Sequence, residues 1–407
     1  MLAEKDINIL RELAHKYISY ASNPEQDAKK ELWLKLNSCN MHKPMVLISQ
    51  IPWIEIKDEN LVLKVTDTYW RNVENTIRRQ LYQWEHMRVD MVLPQYICLP
   101  SPITKTEHFG IKFNLETRGS ENAVLAQKYT DILNTEEDLN IIQPVNIALN
   151  QALKEEIECD AHKIFDGICE FRWQGIVMHL GLWDWISGAK SVTNCYYDLI
   201  DRPEFMHKIM QRLTDCVTDA IRQYNNLSAF DTACTLCHCS HTFTESLPSG
   251  TNGDISNNCW AFGLAQLFSS ASPEITKEFE VPYMNKIFSH FGAIYYGCCE
   301  RLDDRLEILD MMPNIKKVSC SPWSDREAFS EKLPKKYVMS NKPNPAFLAT
   351  DSFDEQTIRD DIRRTINVAK ANGTALELIL KDISTINHDP SRLWKWAQIA
   401  EEETANF

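Results

Sequence analysis

A vicinal cysteine pair followed by a carboxylate is the feature of the sequence with the clearest chemical potential. The segment Tyr296-Gly297-Cys298-Cys299-Glu300 directly follows the apolar run Ala293–Tyr295. Thiolates and carboxylates are both zinc ligands, and a bound metal favours the deprotonated thiol. The segment predicts a catalytic or metal-binding position at Cys298 and Glu300. Small thiols packed at a buried strand end are the structural alternative.

A second thiol cluster, Cys234-Thr-Leu-Cys237-His238-Cys239, is a weaker indication of metal binding. One CxxC pair lacks the second pair that a zinc ribbon needs. If residues 232–236 form a strand, Cys234 and Cys237 face opposite sides of it, because side chains alternate along a strand. Ordinary core thiols are therefore the favoured interpretation of this cluster.

The remaining candidates follow other apolar runs, and most are aromatic or basic. His179 is a candidate acid, base or ligand, and a core histidine is its structural alternative. Paired carboxylates, which a glycosidase needs, are scarce at these positions. The candidate substrate-binding residues are Trp53, Tyr96, Trp183, Trp185, His238 and Lys381.

Eight short apolar runs, separated by amphipathic stretches, indicate buried parallel strands joined by helices. This pattern predicts an α/β fold, a (β/α)8 TIM barrel, with a doubly wound sheet as the runner-up. The interval 100–174 becomes an insertion after the second strand, and the polar loop Thr244–Asn258 becomes a lid on the catalytic face. The predicted strands are 45–49, 90–98, 175–182, 232–236, 293–298, 316–320, 337–340 and 376–380.

Residues 1–40 read as an N-terminal helical segment and 41–407 as the barrel. The net charge of −14, from 43 basic and 57 acidic residues, argues against nucleic acid as a partner. We expect no membrane span and no signal peptide. Thirteen cysteines, an odd number without close regular spacing, favour a reducing cytoplasm. Gly-rich nucleotide loops, zincin motifs and the hydrolase serine motif are absent from the sequence.

Four segments resemble the uroporphyrinogen decarboxylase-like superfamily, in the branch that contains corrinoid-dependent methyltransferases. They are His179–Trp185 with Tyr197–Met206, Tyr295–Asp303, and Ile379–Ser384. The resemblance covers roughly residues 40–400 and implies a (β/α)8 barrel. It also implies a small-molecule methyl donor and a partner protein that carries the corrinoid. A homodimer is compatible with this interpretation.

The resemblance also implies where a metal binds. Methyltransferases of that branch hold zinc through a His-x-Cys motif at the end of the fifth strand and a later cysteine. Here Tyr296 and Cys298 occupy the motif positions, and no cysteine follows Cys320. We expect an altered site of Cys298 and Glu300 with His238 or His179, with Cys299 pointing back into the barrel wall.

Three functions follow as hypotheses. The first is transfer of a methyl group from a small methoxy or methylamine compound to a corrinoid protein, with Cys298, Glu300, His179 and Tyr296 at the catalytic centre. The second is decarboxylation of a small aromatic or heterocyclic acid held by Lys342, Lys381 and Arg172. Tetrapyrrole decarboxylation itself is disfavoured, because the segment after the first strand lacks the family's arginines. The third is a barrel that binds a ligand without catalysis.

Overall fold

Strands and helices alternate along the computed structural model, which describes residues 2–113, 115–118, 126–233, 235–247 and 254–407. The helices are α1 (Glu4–Ala21), α2 (Glu25–Asn37), α3 (Thr68–Met87), α4 (Gln151–Phe165), α5 (Leu182–Lys190), α6 (Val192–Asp201), α7 (Pro203–Asn226), α8 (Pro273–Phe279), α9 (Val281–Phe288), α10 (Arg326–Lys332), α11 (Glu355–Asn372) and α12 (Ser391–Ala405). The strands are β1 (Met45–Ile48), β2 (Tyr96–Pro100), β3 (Ile103–Lys105), β4 (Leu115–Arg118), β5 (Ala126–Tyr129), β6 (Ile147–Leu149), β7 (Glu170–Gln174), β8 (His179–Leu180), β9 (Leu236–Cys237), β10 (Ser240–His241), β11 (Trp260–Gly263), β12 (Ala293–Tyr296), β13 (Ile315–Cys320), β14 (Val338–Asn341) and β15 (Leu376–Leu380).

Seven strands form one parallel sheet in the order β1-β15-β14-β13-β12-β11-β8. Strands β2 and β7 form a separate parallel pair, and β8 follows β7 along the chain. α-Helices connect most of these strands, and a 3-10 helix (Leu306–Met311) connects β12 to β13, which resembles the connectivity of a (β/α)8 barrel. The fold is therefore a mixed α/β fold compatible with that barrel. The strands in the described residues do not close into a ring, because β1 is not paired with β2 and β7 is not paired with β8.

The edge of β1 that would pair with β2 is instead occupied by Asp90, through its side chain and its backbone amide, and by the Gln83 side chain. The Asp90 carboxylate accepts a hydrogen bond from the Val46 amide at 2.8 Å, and the Asp90 amide donates to the Val46 carbonyl at 3.1 Å. The Gln83 amide donates to the Ile48 carbonyl at 2.8 Å. These contacts satisfy backbone groups that a neighbouring strand would otherwise pair. A seam therefore remains between β1 and β2.

The two faces of the strands pack against different layers. Ile294 and Tyr296 face the helices, and Phe262 and Tyr295 face the barrel interior together with the N-terminal helices. Alternation along each strand produces this separation. Two N-terminal helices were expected, and α1 and α2 are present. Trp33 of α2 packs edge-on against His241, with ring centroids 5.1 Å apart.

The predicted fourth strand, 232–236, is wrong for the described residues: residues 232, 233 and 235 lie outside any strand, Leu236 begins β9, and residue 234 is outside the described part of the chain. The position beside β12 belongs to β11, which is only four residues long. The chain before it forms the hairpin β9–β10, which turns at His238 (φ 55°) and enters the barrel interior. The polar residues of this hairpin form hydrogen bonds inside the barrel. The hairpin can therefore be buried without the apolar sequence that is typical of a barrel strand.

The predicted lid, Thr244–Asn258, lies at the opposite end from the expected one. Its described residues, 244–247 and 254–258, precede β11 and are therefore near the amino ends of the strands. Residues 248–253 lie outside the described part of the chain. No helix in the described residues is long and apolar enough to cross a membrane.

Candidate functional site

Five polar side chains converge where β12, β15 and the β9–β10 hairpin meet at the carboxyl ends of the strands. We call Cys298, Cys299, His238, Lys381 and Asp382 the thiol cluster. The Cys298 sulfur lies 3.5 Å from the Cys299 sulfur, 2.9 Å from Lys381 Nζ and 3.8 Å from His238 Nε2. The carboxyl ends of barrel strands are where such sites are expected.

Gly297 makes the paired orientation of the two sulfurs feasible. Strand β12 ends at Tyr296, and Gly297 then turns the chain with a φ of 90°, a region that favours glycine. A Cβ atom there would lie 2.6 Å from the Leu302 side chain. The prediction that Cys299 points into the barrel wall is wrong, because strand alternation ends before the cysteine pair. Its sulfur instead lies 3.3 Å from an Asp382 carboxylate oxygen.

The Lys381 ammonium is the charged centre of the cluster. It lies 2.9 Å from the Cys298 sulfur, 2.8 Å from Asp382 Oδ2 and 3.3 Å from His238 Nε2. An ammonium has three N–H donors, which matches these three acceptors. Asp382 has a left-handed φ of 56°, and its amide donates to the Gln50 side chain at 3.1 Å. The backbone of Gln50 is also left-handed, with a φ of 49°. Strained backbone of this kind is concentrated at functional sites.

The environment favours a thiolate at Cys298 and a thiol at Cys299. The hydrogen bond from Cys299, and then the Lys381 charge, lower the pKa of Cys298, although burial opposes them. The hydrogen bond to Cys298, together with burial, raises the pKa of Cys299. Cys298 is therefore the nucleophilic or ligating sulfur of the pair.

The histidines near the cluster are neutral at physiological pH. His238 stacks on Phe262 with ring centroids 3.8 Å apart, and burial followed by the Lys381 charge lowers its pKa to about 2. His179 packs edge-on against the same ring at 4.8 Å, and burial lowers its pKa as well. The structure therefore brings both predicted histidines to the site as neutral imidazoles.

Glu300 is placed differently from the prediction. Its two carboxylate oxygens accept hydrogen bonds from the amides of Ala265 at 3.0 Å and Cys298 at 2.8 Å. The side chain is buried and fixes the backbone on which Cys298 stands. Among the described residues, the group with suitably close metal ligands is Cys298, Cys299 and Asp382, so Asp382 occupies the place predicted for Glu300.

Four of the predicted aromatic residues lie away from the thiol cluster. Tyr296 packs against Phe288 on the helix-facing side of β12, and Trp183 is buried against Phe268. Trp185 packs against Phe109. Tyr96 begins β2 rather than ending it, and its hydroxyl donates to the Ala233 carbonyl at 2.6 Å. These placements depend on strand bounds and faces that were misjudged by one or a few residues.

The cations predicted for a carboxylate substrate do not converge. Lys342 is buried and bonds the hydroxyls of Tyr295 and Ser340. Arg172 stacks over the Tyr96 ring at 4.0 Å, at the start of β2. Lys381 alone lies in the thiol cluster. A carboxylate could therefore meet one of the three cations but not all three.

A cavity of about 340 Å³ lies in the seam between β1 and β2, and we call it the seam cavity. Helix α3 contributes Gln80 and Gln83 to its wall, and the β9–β10 hairpin contributes Cys239 and His241. Gln50 belongs to the cavity wall and also accepts from the Asp382 amide. Trp53 also lines the cavity, so this predicted substrate-binding residue borders it. A larger cavity, about 1020 Å³, opens near the amino end of β11.

Sequence reasoning missed Cys299 and Asp382 as members of the cluster and the glutamines of the seam cavity. Asp382 follows Lys381 directly after the last predicted strand, where the sequence admits either an internal ion pair or a substrate role for the two residues. That position, at the carboxyl end of a barrel strand, was the available signal. The glutamines of α3 carry no such signal, because an amide on a helix is usually a solvated side chain.

No protein-family model and no curated protein matches this chain. Its fold is similar to a solved structure named methyltransferase from Methanosarcina mazei, with a TM-score of 0.51 and 13% identity. The match covers 92% of this chain and 98% of that chain. At this identity the likeness establishes a shared fold over nearly the whole length of both chains.

Proposed function

We propose that the protein is a methyltransferase that moves a methyl group from a small methoxy or methylamine compound to a corrinoid on a partner protein. The observation that carries the proposal is the thiol cluster, in which Lys381 lies 2.9 Å from the Cys298 sulfur at the carboxyl ends of the strands. The fold shared with a solved methyltransferase supports it.

The reaction needs help at the leaving atom. When the bond between the methyl group and its oxygen or nitrogen breaks, the electron pair stays on that heteroatom, which must be protonated or bound to a Lewis acid. The methyl group leaves without the bonding electron pair and is transferred to the reduced cobalt of the partner's corrinoid, which supplies the two electrons of the new cobalt–carbon bond. The cluster offers the Lys381 ammonium as a charge at the leaving atom and neutral His238 beside it.

The donor set also fits zinc. Two thiols and a carboxylate lie within 4.8 Å of one another in Cys298, Cys299 and Asp382, and these donor types suit that ion. Zinc held there would supply a Lewis acid at the leaving atom. Lys381 contacts two of the same three side chains, so it competes with a metal for their lone pairs. Zinc content is therefore part of the test.

The experiment combines the purified protein, a corrinoid protein with reduced cobalt, and a panel of methoxyaromatic compounds and methylamines. Methylation of cobalt, followed by its absorption spectrum, is the expected result. Cys298→Ser should lower the rate at least tenfold, whereas Cys159→Ser, an exposed thiol on α4, should not. Elemental analysis of both variants shows whether zinc accompanies Cys298. A panel without any methylation overturns the proposal.

A further inference from the structure

The seam cavity has an uncharged wall, although the thiol cluster beside it is strongly charged. No Asp, Glu, Lys or Arg is among the described residues that line it. Amide and hydroxyl groups supply its polarity, and the rest comes from aliphatic side chains, the rings of Tyr17 and Trp53, and two cysteines. The polar lining residues are Ser49, Gln50, Thr76, Gln80, Gln83, Gln174 and Thr235.

His241, the one histidine in the wall, is also neutral. Its Nε2 accepts from the Val92 amide at 3.1 Å, and its Nδ1 lies 3.0 Å from the Thr235 carbonyl, to which it donates. Both ring nitrogens are thus occupied in the neutral form. Burial lowers the pKa of His241 to about 3, in agreement with this arrangement.

Two of the glutamines are available to a ligand. Gln83 donates to the Ile48 carbonyl, and Gln50 accepts from Asp382. The side-chain amides of Gln80 and Gln174 have no hydrogen-bond partner in the described part of the protein. Each amide offers two donors and one acceptor, so together they can bind an oxygen-containing ligand without charge.

Ions are poorly accommodated in this cavity. A cationic amine would need carboxylates or open aromatic faces, but the Arg79 guanidinium already lies 5.2 Å from the Trp53 ring. A carboxylate would need a cation, and Lys381 is shared among Cys298, Asp382 and His238. Moving an unpaired ion out of water into such a site is costly.

We propose that the methyl donor is an uncharged methyl ether that binds in the seam cavity, an inference that rests on the methyltransferase function proposed above. Gln50 lines the cavity and accepts a hydrogen bond from the Asp382 backbone amide, so this one side chain connects the cavity wall to the thiol cluster. The O–CH3 bond breaks, the oxygen keeps the electron pair and takes a proton, and the methyl group goes to the reduced cobalt of the partner's corrinoid. The volume of the cavity is within the range of small-ligand sites.

Three ligands with the same ring and methoxy group test this inference: 4-methoxybenzyl alcohol, 4-methoxybenzoate and 4-methoxybenzylamine. Isothermal titration calorimetry of the full chain at pH 7 should show the alcohol binding at least tenfold more tightly than either ion. Gln80→Glu should weaken the alcohol and move the preference toward the amine. Gln398→Glu, an exposed position on α12, is the matched control and should change nothing.

Each outcome has a definite meaning. Preference for either ion, no binding of any of the three, or an unchanged preference in Gln80→Glu overturns the inference. Methylation of cobalt by the amine alone would also overturn it, while leaving the proposed function intact. Binding of the alcohol without methylation of cobalt by any compound in the panel would overturn the proposed function and leave the cavity's preference for uncharged ligands standing.

Discussion

At Cys298, two neighbouring side chains both lower the pKa of the sulfur. The Cys299 thiol donates a hydrogen bond to it, and the Lys381 ammonium lies 2.9 Å away. Both favour the thiolate, which is the form that attacks electrophiles and binds metals. The reactivity of this one sulfur therefore reports directly on the electrostatics of the cluster.

Lys381→Met should raise the pKa of Cys298 and slow its alkylation by iodoacetamide about tenfold at pH 7, since a nearby opposite charge shifts a pKa by one unit or more. Peptide mass spectrometry between pH 5 and 9 gives the rate at each cysteine. Lys332→Met, on the exposed end of α10, is the control. Cys320, whose pKa burial raises to about 12, should stay unreactive. Equal rates at Cys298 in both variants would contradict the prediction.

Asp184 links pH to stability. Burial, and then the Glu300 charge, raises its pKa to about 7, well above its unfolded value of about 4. The folded state therefore holds a proton that the unfolded state releases, so stability is fully present below about pH 4 and is lost as the pH rises through 7.

Asp184→Asn should remove this loss. The free energy of unfolding of the wild type minus that of the variant should be about 1–2 kcal/mol larger at pH 4.5 than at pH 7.5. This value is reduced for the partial exposure of the carboxyl group. Urea denaturation at the two pH values measures it. Burial, and then the Glu300 charge, raises the pKa of the nearby Glu280 in both proteins, and the smaller effect of the Asp184 charge on Glu280 forms part of the measured difference. A difference that is independent of pH would exclude this assignment.

At the scale of elements, the β9–β10 hairpin is held inside the barrel by an ion pair. Lys317 and Glu377 face the interior from β13 and β15, 2.6 Å apart and almost completely buried. Lys317 also donates to Ser240 and to the His241 carbonyl, so the pair fixes both residues of β10. The hairpin in turn places His238 beside Cys298.

Lys317→Met should destabilise the protein by about 3–5 kcal/mol, because it leaves a buried carboxylate unpaired. Adding Glu377→Gln should restore part of the loss, since the double variant no longer holds an isolated charge. A double-mutant cycle by guanidinium denaturation measures the coupling. Additive losses, with no restoration, would show that the pair does not act as a unit.

At the scale of the whole molecule, the N-terminal helices and the barrel share one interior. Trp33 of α2 is fully buried, donates to the Asp90 carbonyl at 2.8 Å and lies 5.1 Å from Lys317 Nζ. Asn37 of the same helix donates to the His241 carbonyl at the end of the hairpin and to the Phe243 carbonyl just after it. The first forty residues therefore contribute to the same core as the strands.

Trp33→Ala should lower the free energy of unfolding of the whole chain by about 3–5 kcal/mol, as expected for removal of a large buried side chain. Far-ultraviolet circular dichroism and tryptophan fluorescence should follow one coincident transition in denaturant. Trp394→Ala, on the exposed side of α12, should cost far less. Two separate transitions, with only the first shifted by Trp33→Ala, would show that the N-terminal helices fold independently.

The sequence by itself determined most of the sheet. Strands β1, β13, β14 and β15 are buried on both faces, so each appears as a short continuous apolar run that can be recognised without the structure. Strand β11, which is equally short and buried, was missed because the run 232–236 took its place as the fourth strand, and the hairpin was missed because its polar residues are satisfied by distant partners.

The tertiary structure alone decided the composition of the site. Cys298 and Lys381 are 83 positions apart, and left-handed residues at Gly297 and Asp382 turn their neighbours toward each other after the strands end. Strand periodicity stops at those turns, so it could not predict which way Cys299 or Asp382 faces. Whether Glu300 bound a ligand or the backbone likewise depended on the Ala265 amide, which lies two residues after the end of β11.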